Sequence, residues 1–588
     1  MFKNKSQFII IKNKWIFLSQ ELTIKILNIT EYKMKNFFVI FSFVTILSIV
    51  ILGHTSKDSK LQPLEDNTFY YNLSVASINN ELQFDISLAY KSYSTHIIQL
   101  PDDYYGTPNL YKWVTKISGT NGTSVIDVDN KPGSRRIIPN KTNEVYINYT
   151  IKYDPAVMDN YSYAPNVSPS HFYMAGCQWI LPIGPIDSIY TYKIKMGAVD
   201  NNWTFYSSLS ENNNNINVKT NFDDLISAGF GGSDESQIKE SFVVGGNKVS
   251  LFIQGNYSFD KKTFIKNLKE IITAEKAFFN DYNQRFYYIT ILPRTGLLAG
   301  ASVPNLFYCF VDSAKQGREL YRLIAHEYFH NWLPNKIYIP TKKGDYDFKL
   351  EWFSEGFTEY FSRKILFDNN IIDKEYYVNT FNSDIISIAN NPSANESYNE
   401  IAERSQFGAA QKKLSYYRGA LIALKWDSQL KRKESSLKNL MLFLFKKASD
   451  SKGTISESDI YDYANRYSLD FKKDIEKYIV QGKPIDILSD AFEGYQLKNE
   501  RIRLFDPGFD VIKSVKEKII RGVDTNGPAY KAGLRDGMKY VKRRNSNRWS
   551  NSWSETTPYS VTVITDEKEK EINFFPWGKQ KELLLYKK

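Results

Sequence analysis

Apolar and polar residues alternate in short runs between about residues 65 and 255. The runs include TFYYNLSVAS, LQFDISLAY, NEVYINYTIKY and NKVSLFIQG, and segments rich in Asn, Gly and Pro separate them. An alternation of period two gives each strand one apolar face that must be buried. Because the pattern is repeated and broken so often, it predicts an antiparallel β-sandwich over residues 60–255.

After residue 256 the apolar residues recur at helical spacing instead. Helices are predicted over residues 260–282, 317–333, 350–367, 414–433 and 436–481. Between the first two, RFYYITILP at residues 285–293 is an unbroken apolar run typical of a buried strand. These patterns predict an α+β domain over residues 256–495, with helix dominating its second half.

Short strand patterns return after about residue 500, around the segment RGVDTNGPAYKAGLRDGMKYV. They predict a third, β-rich domain over residues 500–588. A chain of 588 residues is also too long for one hydrophobic core. The predicted fold class is therefore multidomain α+β.

The N-terminal region has the layout of an export signal. Residues 37–53 read FFVIFSFVTILSIVILG without a charge, and Lys33 and Lys35 precede them. This run is slightly long for a cleaved signal and slightly short for a transmembrane helix. Residues 34–56 are therefore expected to be either a signal peptide or a retained signal anchor, and residues 1–33 have no assigned role. The protein is expected to be exported, to a periplasmic, extracellular or membrane-anchored location.

Charge and cysteine content exclude several functions. The net charge of +11 is dispersed along the chain, and its densest basic run is residues 542–544. Dispersed charge is typical of a solvated surface, so it disfavours a nucleic-acid-binding or basic membrane-surface protein. The chain has two cysteines, Cys177 and Cys309, which are too few for a Cys-rich zinc site. They fall in different predicted domains, so we expect two separate buried thiols.

The segment LIAHEYFHNW carries H-E-x-x-H at His326, Glu327 and His330. Residues four apart on a helix lie one above the other on the same face. Two imidazoles at this spacing can bind one Zn²⁺, with the intervening glutamate placed to take a proton from an attacking water. The neighbouring apolar residues support a helix here, and Pro334 is expected to end it. An accidental pair of surface histidines is the alternative explanation.

A catalytic zinc site needs a third protein ligand. Downstream, LEWFSEGFTEYF offers Glu351, Glu355 and Glu359, all on one face of a predicted helix. Spacing alone does not choose among them. One would bind the metal, and a neighbour would accept the free N–H of a ligand histidine.

HEYFHNW followed by WFSEGFTEYF resembles the glycyl aminopeptidase family, gluzincin metallopeptidases related to the aminopeptidase N family. The resemblance implies a thermolysin-like catalytic domain, one Zn²⁺ per chain, and release of small N-terminal residues such as Gly or Ala from peptides. It selects Glu355 as the third ligand and Glu359 as the acidic partner of the first histidine. SYYRGALIALKWD is similar to the family's Y-x-K-G segment. That similarity makes Tyr416 the donor to the oxyanion, with Tyr417 as the alternative after a one-residue slip.

One segment departs from the family pattern. The family usually carries a Gly-rich strand with a glutamate that holds the substrate's free amine. The matching segment, RTGLLAGASVPNLF, contains no acidic residue. Gly296 and Gly300 are still expected to line the substrate cleft as part of an edge strand. An aminopeptidase and an endopeptidase of the same fold therefore both remain open.

GVDTNGPAYKAGLRDGMKYV is similar to the helix-flanking segment of PDZ domains, through Pro528, Ala529, Ala532, Gly533, Leu534 and Gly537. The domain at 500–588 is thus expected to be PDZ-like and to offer a site for a peptide ligand. A non-catalytic, zinc-containing PDZ scaffold is the rival from another functional class. Glu327 argues against the scaffold, because a structural zinc site has no use for a base at that position.

Overall fold

A computed structural model describes residues 63–588, apart from 79, 101, 103–108, 154–164, 186, 200–201, 213, 235–237, 295–296, 313–316, 341–349, 392, 398, 402–408, 452 and 545–557. Asp66–Lys588 form one compact unit. The predicted extension at 1–33 and the predicted signal or anchor at 34–56 lie outside the described residues. Among the described helices, none combines the length and the apolar character needed to cross a membrane.

The first part of the unit is built almost entirely of strands. They are β1 (Thr68–Ile78), β2 (Glu81–Lys91), β3 (His96–Gln99), β4 (Val114–Gly119), β5 (Ser124–Asp127), β6 (Ser134–Ile138), β7 (Glu144–Ile151), β8 (Asn166–Ser168), β9 (His171–Ala175), β10 (Ile189–Ala198), β11 (Thr204–Ser207), β12 (Asn215–Asn221) and β13 (Gly229–Ser233). Short 3-10 turns occur at Leu110–Trp113 and Gly176–Gln178, and helix α1 (Phe222–Ser227) precedes β13.

These strands form three sheets. A six-stranded sheet has the order β12-β10-β1-β2-β7-β4, a four-stranded sheet the order β11-β13-β9-β8, and a small sheet the order β3-β6-β5. The two larger sheets bury a shared core, to which the four-stranded sheet contributes Phe172, Phe205 and Phe230. Most strand pairs are antiparallel, but β1 and β10 are parallel. Two sheets facing one core match the predicted strand-rich layout as far as Ser233. The strands at Ile238–Val244 and Asn247–Ile253 were also predicted to belong to the sandwich, but they belong to another sheet.

The four-stranded sheet is buried on both faces. On the face away from the six-stranded sheet, Tyr173 and Tyr206 pack against Phe252, Tyr288 and Leu306 of a five-stranded sheet. This five-stranded sheet has the order β14-β15-β16-β18-β17. Its strands are β14 (Ile238–Val244), β15 (Asn247–Ile253), β16 (Phe286–Pro293), β17 (Leu298–Val303) and β18 (Leu306–Val311). The predicted buried strand is β16, which pairs in parallel with both β15 and β18.

Helices cover the other face of the five-stranded sheet. They are α2 (Lys261–Phe279), α3 (Arg318–Phe329), α4 (Glu351–Asp368), α5 (Lys374–Ala389), α6 (Ala409–Lys431), α7 (Leu437–Asp450), α8 (Glu457–Asn465) and α9 (Phe471–Asp474), and a π-helical turn follows at Ile475–Val480. Side chains of the sheet and of α2–α9 share one large core. The first four predicted helices are present as α2, α3, α4 and α6, with ends that differ by a few residues. The predicted helical stretch 436–481 is divided among α7, α8, α9 and the π-helical turn. Helix α3 ends at Phe329, before Pro334, so the proline is not what ends it.

Helices α4 and α6 lie unusually close together. A Cβ added to Gly419 would fall 1.9 Å from the carbonyl oxygen of Trp352, and one added to Gly356 would fall 2.3 Å from the Cα of Gly419. The contact therefore requires glycine on both helices. It fixes α6 against the helix that follows the H-E-x-x-H segment in the chain.

The last part of the chain contains β19 (Gln496–Phe505), α10 (Val511–Glu517), α11 (Pro528–Lys531), β20 (Lys539–Arg544), β21 (Tyr559–Thr565), β22 (Lys568–Phe574) and β23 (Trp577–Lys587). Strand β19 pairs with β23, and β20, β21 and β22 form a separate sheet. A small core of its own includes Ile520, Ala529 and Leu534. The α+β class is confirmed, and a PDZ-like identity for this part stays a prediction. Cys177 and Cys309 are both free and buried, as predicted.

Candidate metal centre

Helix α3 places His326 and Glu327 side by side at its C-terminal end. Leu320, Ile324 and Phe329 anchor the helix in the core and are almost fully buried. His326 and Glu327 are themselves only 6% and 7% exposed. His330 is the residue that caps the helix and still has helical backbone angles. The two histidines therefore keep the one-turn spacing, and their ring centroids lie 4.8 Å apart.

Helix α4 brings Glu355 to the two histidines. Its Oε2 lies 3.1 Å from Nε2 of His326 and 3.6 Å from Nε2 of His330. One ligand atom from each of the three residues lies within 4.8 Å of the others. Two imidazole nitrogens and one carboxylate oxygen are the donor set of a catalytic zinc site with an open position. In the described part of the chain, the cluster that can hold a metal consists of these three residues.

The other glutamates of α4 have different positions. Glu359 lies on the far side of the His326 ring, with Oε1 3.5 Å from Nδ1. Glu351 is the first residue of α4, one turn before Glu355, and does not belong to the cluster. Spacing left all three glutamates of α4 open as the third ligand. In the structure, Glu355 is the one that lies next to the Nε2 atoms of both histidines.

Each histidine has an acceptor near its second ring nitrogen. Nδ1 of His330 lies 2.8 Å from the carbonyl oxygen of Leu333, a hydrogen-bond distance. Nδ1 of His326 is buried, makes no hydrogen bond and faces Glu359. A proton on Nδ1 of each ring would satisfy these acceptors and leave both Nε2 lone pairs directed at Glu355. This orientation fits a cation between the three side chains.

A chain of buried charges extends behind Glu359. Its Oε2 accepts hydrogen bonds from Nε and Nη2 of Arg363 at 3.2 and 2.9 Å. The same guanidinium donates to Asp384 on α5 through Nη1 at 2.5 Å. Arg363 is 1% exposed, so it binds both carboxylates away from water. Arg363 and Asp384 were missed from the sequence. The i,i+4 spacing from Glu359 could have indicated Arg363, but no local pattern in the sequence indicates Asp384.

The carboxyl groups of the site have very different acidities. Burial raises the pKa of Glu355, but His330 and His326 outweigh it and bring the pKa down to about 2. For Glu359, Arg363 and Arg322 likewise overcome burial and hold the pKa well below its usual range. Burial raises the pKa of Glu327 to about 7, although His330 opposes the shift. The candidate ligand is thus ionised, while the candidate base exchanges a proton near neutral pH.

Helix α6 presents Tyr416 to the site. Its ring is nearly parallel to that of His326, with 6.0 Å between centroids. Tyr417 has other surroundings: its pKa is raised to about 12, first by burial and then by Asp384 and Glu359. The structure therefore places Tyr416, and not Tyr417, beside a candidate ligand. It also places Lys413 there, with Nζ 3.8 Å from the centroid of the Tyr416 ring. This lysine was missed from the sequence, although it precedes Tyr416 by one helical turn.

Strand β17 borders the site at the edge of the five-stranded sheet. A Cβ added to Gly300 would lie 3.3 Å from Cγ of Glu327 and 2.6 Å from the ring of Phe307. Gly300 thus lies directly against the candidate base, at the edge strand that was predicted for it. Gly296 lies outside the described residues.

Two histidines and one glutamate on neighbouring helices, under the edge of a mixed sheet, form a candidate metal centre. Residues 319–422 match the model of the M61 glycyl aminopeptidase family, which confirms the resemblance predicted from the two motifs. The matched segment runs from the start of α3 to the middle of α6, so it contains every residue of the site except Gly300.

Two solved structures are similar to this chain to different degrees. An aminopeptidase N family protein from Idiomarina loihiensis is 16% identical, with a TM-score of 0.63, and the match covers 88% of this chain and 98% of that chain. An M1 zinc metallopeptidase from Deinococcus radiodurans is 13% identical, with a TM-score of 0.41, covering 73% of this chain and 96% of that one. The first match shows that this chain shares its fold with that protein. No curated protein sequence matches the chain.

Proposed function

We propose that this protein is a zinc-dependent peptidase that holds one Zn²⁺ per chain with His326, His330 and Glu355. The convergence of these three ligand atoms within 4.8 Å, next to the buried Glu327, carries the proposal. Imidazole and carboxylate ligands together suit Zn²⁺ better than Cu⁺, which prefers sulfur ligands, or Mg²⁺ and Ca²⁺, which prefer oxygen ligands. A zinc ion bound there would supply Lewis-acid activation of a water molecule at neutral pH.

The chain's own residues supply the remaining chemistry. Glu327 accepts a proton from the attacking water and passes it to the leaving amine. A pKa raised to about 7 by burial suits a group that must take up and release a proton in one cycle. The Tyr416 hydroxyl donates a hydrogen bond to the oxyanion of the tetrahedral intermediate. Glu359 and the Leu333 carbonyl hold the two imidazoles in orientation.

The preferred substrates are proposed to be peptides with a small free N-terminal residue such as Gly or Ala. The family match at 319–422 supports this specificity. The absence of an acidic residue in RTGLLAGASVPNLF favours an endopeptidase instead, because nothing on that strand pairs with a free amine. Export through residues 34–56, and peptide binding by a PDZ-like domain at 500–588, are further parts of the proposal.

The test is hydrolysis of Gly- and Ala-reporter peptides, each with a free amine and N-acetylated, before and after treatment with a chelator. We expect the free-amine set to be cleaved, the activity to need zinc, and Glu327→Gln to abolish turnover while zinc content stays at one per chain. Glu270→Gln, a partly exposed glutamate on α2 that pairs with Lys266, is the matched control and should keep full activity.

Each other outcome has a distinct meaning. Equal cleavage of the acetylated peptides would make the protein an endopeptidase. A chain that binds zinc and cleaves neither set would be a non-catalytic scaffold. Activity that survives complete removal of zinc would contradict the proposed mechanism.

A further inference from the structure

Lys413 on helix α6 pairs with no described carboxylate, whereas Lys425 and Lys431 of the same helix each pair with an aspartate. Its Nζ lies 3.8 Å from the centroid of the Tyr416 ring, and that ring lies 6.0 Å from the ring of His326. Within the described residues, no carboxylate oxygen comes within 4.0 Å of its Nζ. The side chain is half-buried. A cation over an aromatic face is stabilised modestly, but its three N–H donors are not satisfied by the ring.

Lys425, on the same helix, is a lysine whose charge is neutralised within the protein. Lys425 is buried, and its Nζ donates to Asp474 and to the hydroxyl of Tyr478, both at 2.8 Å. Its charge is therefore matched by an anion that belongs to the protein. Among the described residues Lys413 has no such partner, and its Nζ lies over the Tyr416 ring beside the candidate centre, so its charge is available to a ligand.

The electrostatic effect of Lys413 reaches the site. Its charge lowers the pKa of Glu327, of Glu355 and of Glu359, although burial and closer groups act more strongly on each. The region next to the candidate base thus contains a positive charge that no carboxylate of the described residues pairs with. Strand β17 and its flanks, residues 294–307, add no acidic residue to offset that charge. A charge of this sign repels a free amine and attracts a carboxylate.

We infer that Lys413 binds a carboxylate of the substrate on the leaving-group side of the scissile peptide bond. The inference rests on the proposed function, in which Tyr416 lies beside the scissile carbonyl. Each peptide residue spans at most about 3.6 Å, so the residue that follows the scissile bond comes within reach of a lysine on the Tyr416 ring. Two sources supply such a carboxylate: the C-terminus of a dipeptide, or an acidic side chain in a longer peptide.

The test measures binding to zinc-loaded, full-length Glu327→Gln protein by calorimetry, so that it does not depend on turnover. One arm compares Gly-Ala with its C-terminal amide, and the other compares Gly-Glu-amide with Gly-Gln-amide. We expect the acid to bind roughly tenfold tighter than its neutral partner in at least one arm, the size of one charge-assisted hydrogen bond. The arm in which the acid binds more tightly than its neutral partner identifies the source of the carboxylate.

Adding Lys413→Gln should remove the discrimination and leave binding of the neutral peptides within about twofold, whereas Lys413→Arg should retain it. Lys431→Gln, an exposed lysine at the end of the same helix, is the control and should change nothing. Equal binding of acid and neutral peptides in both arms would overturn the inference, as would discrimination that survives Lys413→Gln. If the chain with Glu327 intact cleaves no peptide but this discrimination is present, the proposed function fails and the carboxylate site stands.

Discussion

Glu359 lies 3.5 Å from Nδ1 of His326 and at the same time accepts two hydrogen bonds from the buried guanidinium of Arg363. The arginine keeps this carboxylate ionised, and its pKa lies well below the usual range. An ionised carboxylate at this position favours a proton on Nδ1 of His326. The opposite nitrogen, Nε2, is then free to bind a metal.

Replacing Glu359 by glutamine should therefore weaken zinc binding without removing a ligand. An amide carries no charge to hold the proton on Nδ1, and it leaves Arg363 with one carboxylate partner instead of two. We expect zinc affinity to fall by about 10- to 100-fold, measured by competition with a chromogenic chelator. Glu493→Gln, an exposed glutamate, serves as the control. Unchanged affinity in Glu359→Gln would mean that this carboxylate does not orient the ring.

Gly419→Ala tests whether the close contact of α4 and α6 is needed. In an exposed helix, glycine to alanine stabilises by about 1 kcal/mol. Here the new Cβ would meet the carbonyl of Trp352 at 1.9 Å, so the helices must move apart. We expect the free energy of unfolding to drop by about 3 kcal/mol or more, measured by urea denaturation. A stabilised variant would show that the two helices are farther apart than described.

Much of the site could be predicted from the sequence because its signals are local. His326, Glu327 and His330 lie within one helical turn, and helical spacing reduced the third ligand to three glutamates. Choosing Glu355 needed either the family resemblance or the fold, since the three glutamates share one helix face. Asp384 reaches the site only through the packing of α5 on α4, which no local pattern records.

The way the sheets pack on one another could not be predicted from the sequence either. GFGGS at Gly229–Ser233 resembles one of the Gly-rich breaks, but it is strand β13 in the interior of the four-stranded sheet. Its glycines leave room for aromatic rings: a Cβ on Gly231 would fall 2.2 Å from the ring of Tyr206. A strand buried on both faces loses the alternation that identifies a sandwich strand, because no face is exposed to water.

Gly300→Ala should impair catalysis more than folding. The added methyl group would clash with the ring of Phe307 at 2.6 Å and press on Cγ of Glu327 at 3.3 Å. We expect kcat/KM to fall about tenfold or more while zinc content stays unchanged. Gly197→Ala in strand β10, where nothing lies within 4 Å of the new Cβ, should behave as wild type. Equal kcat/KM values for Gly300→Ala and Gly197→Ala would show that Gly300 does not contribute to the reaction.

The activity should fall on the acid side of neutrality. Glu327 must be ionised to accept a proton, and burial raises its pKa to about 7 in the metal-free protein. A bound divalent cation lowers that pKa, so the acid limb of kcat/KM should lie at or below pH 7. Lys413 also lowers the pKa of Glu327. Lys413→Gln should accordingly move the acid limb to higher pH, whereas a shift to lower pH would contradict this charge arrangement.

His171 should make the stability of the protein depend on pH in a defined window. It is buried in β9 and lies 2.8 Å from Oδ1 of Asn166 and 2.7 Å from Oγ of Ser168, both through ring nitrogens. Burial lowers the pKa of His171 to about 4, although Asp234 opposes the shift. Between about pH 6.5 and pH 4 the unfolded chain therefore binds a proton that the folded chain excludes.

The stability due to neutral His171 is fully present above about pH 6.5 and is lost as pH falls through 4. The loss amounts to about 3 kcal/mol, and urea unfolding of the metal-free protein at several pH values would measure it. Since His171→Gln cannot take up this proton, the variant should show a correspondingly smaller loss over the same window. His96→Gln, a half-buried histidine on β3, is the matched control. If His171→Gln retains the full wild-type pH dependence, the destabilising proton binds elsewhere.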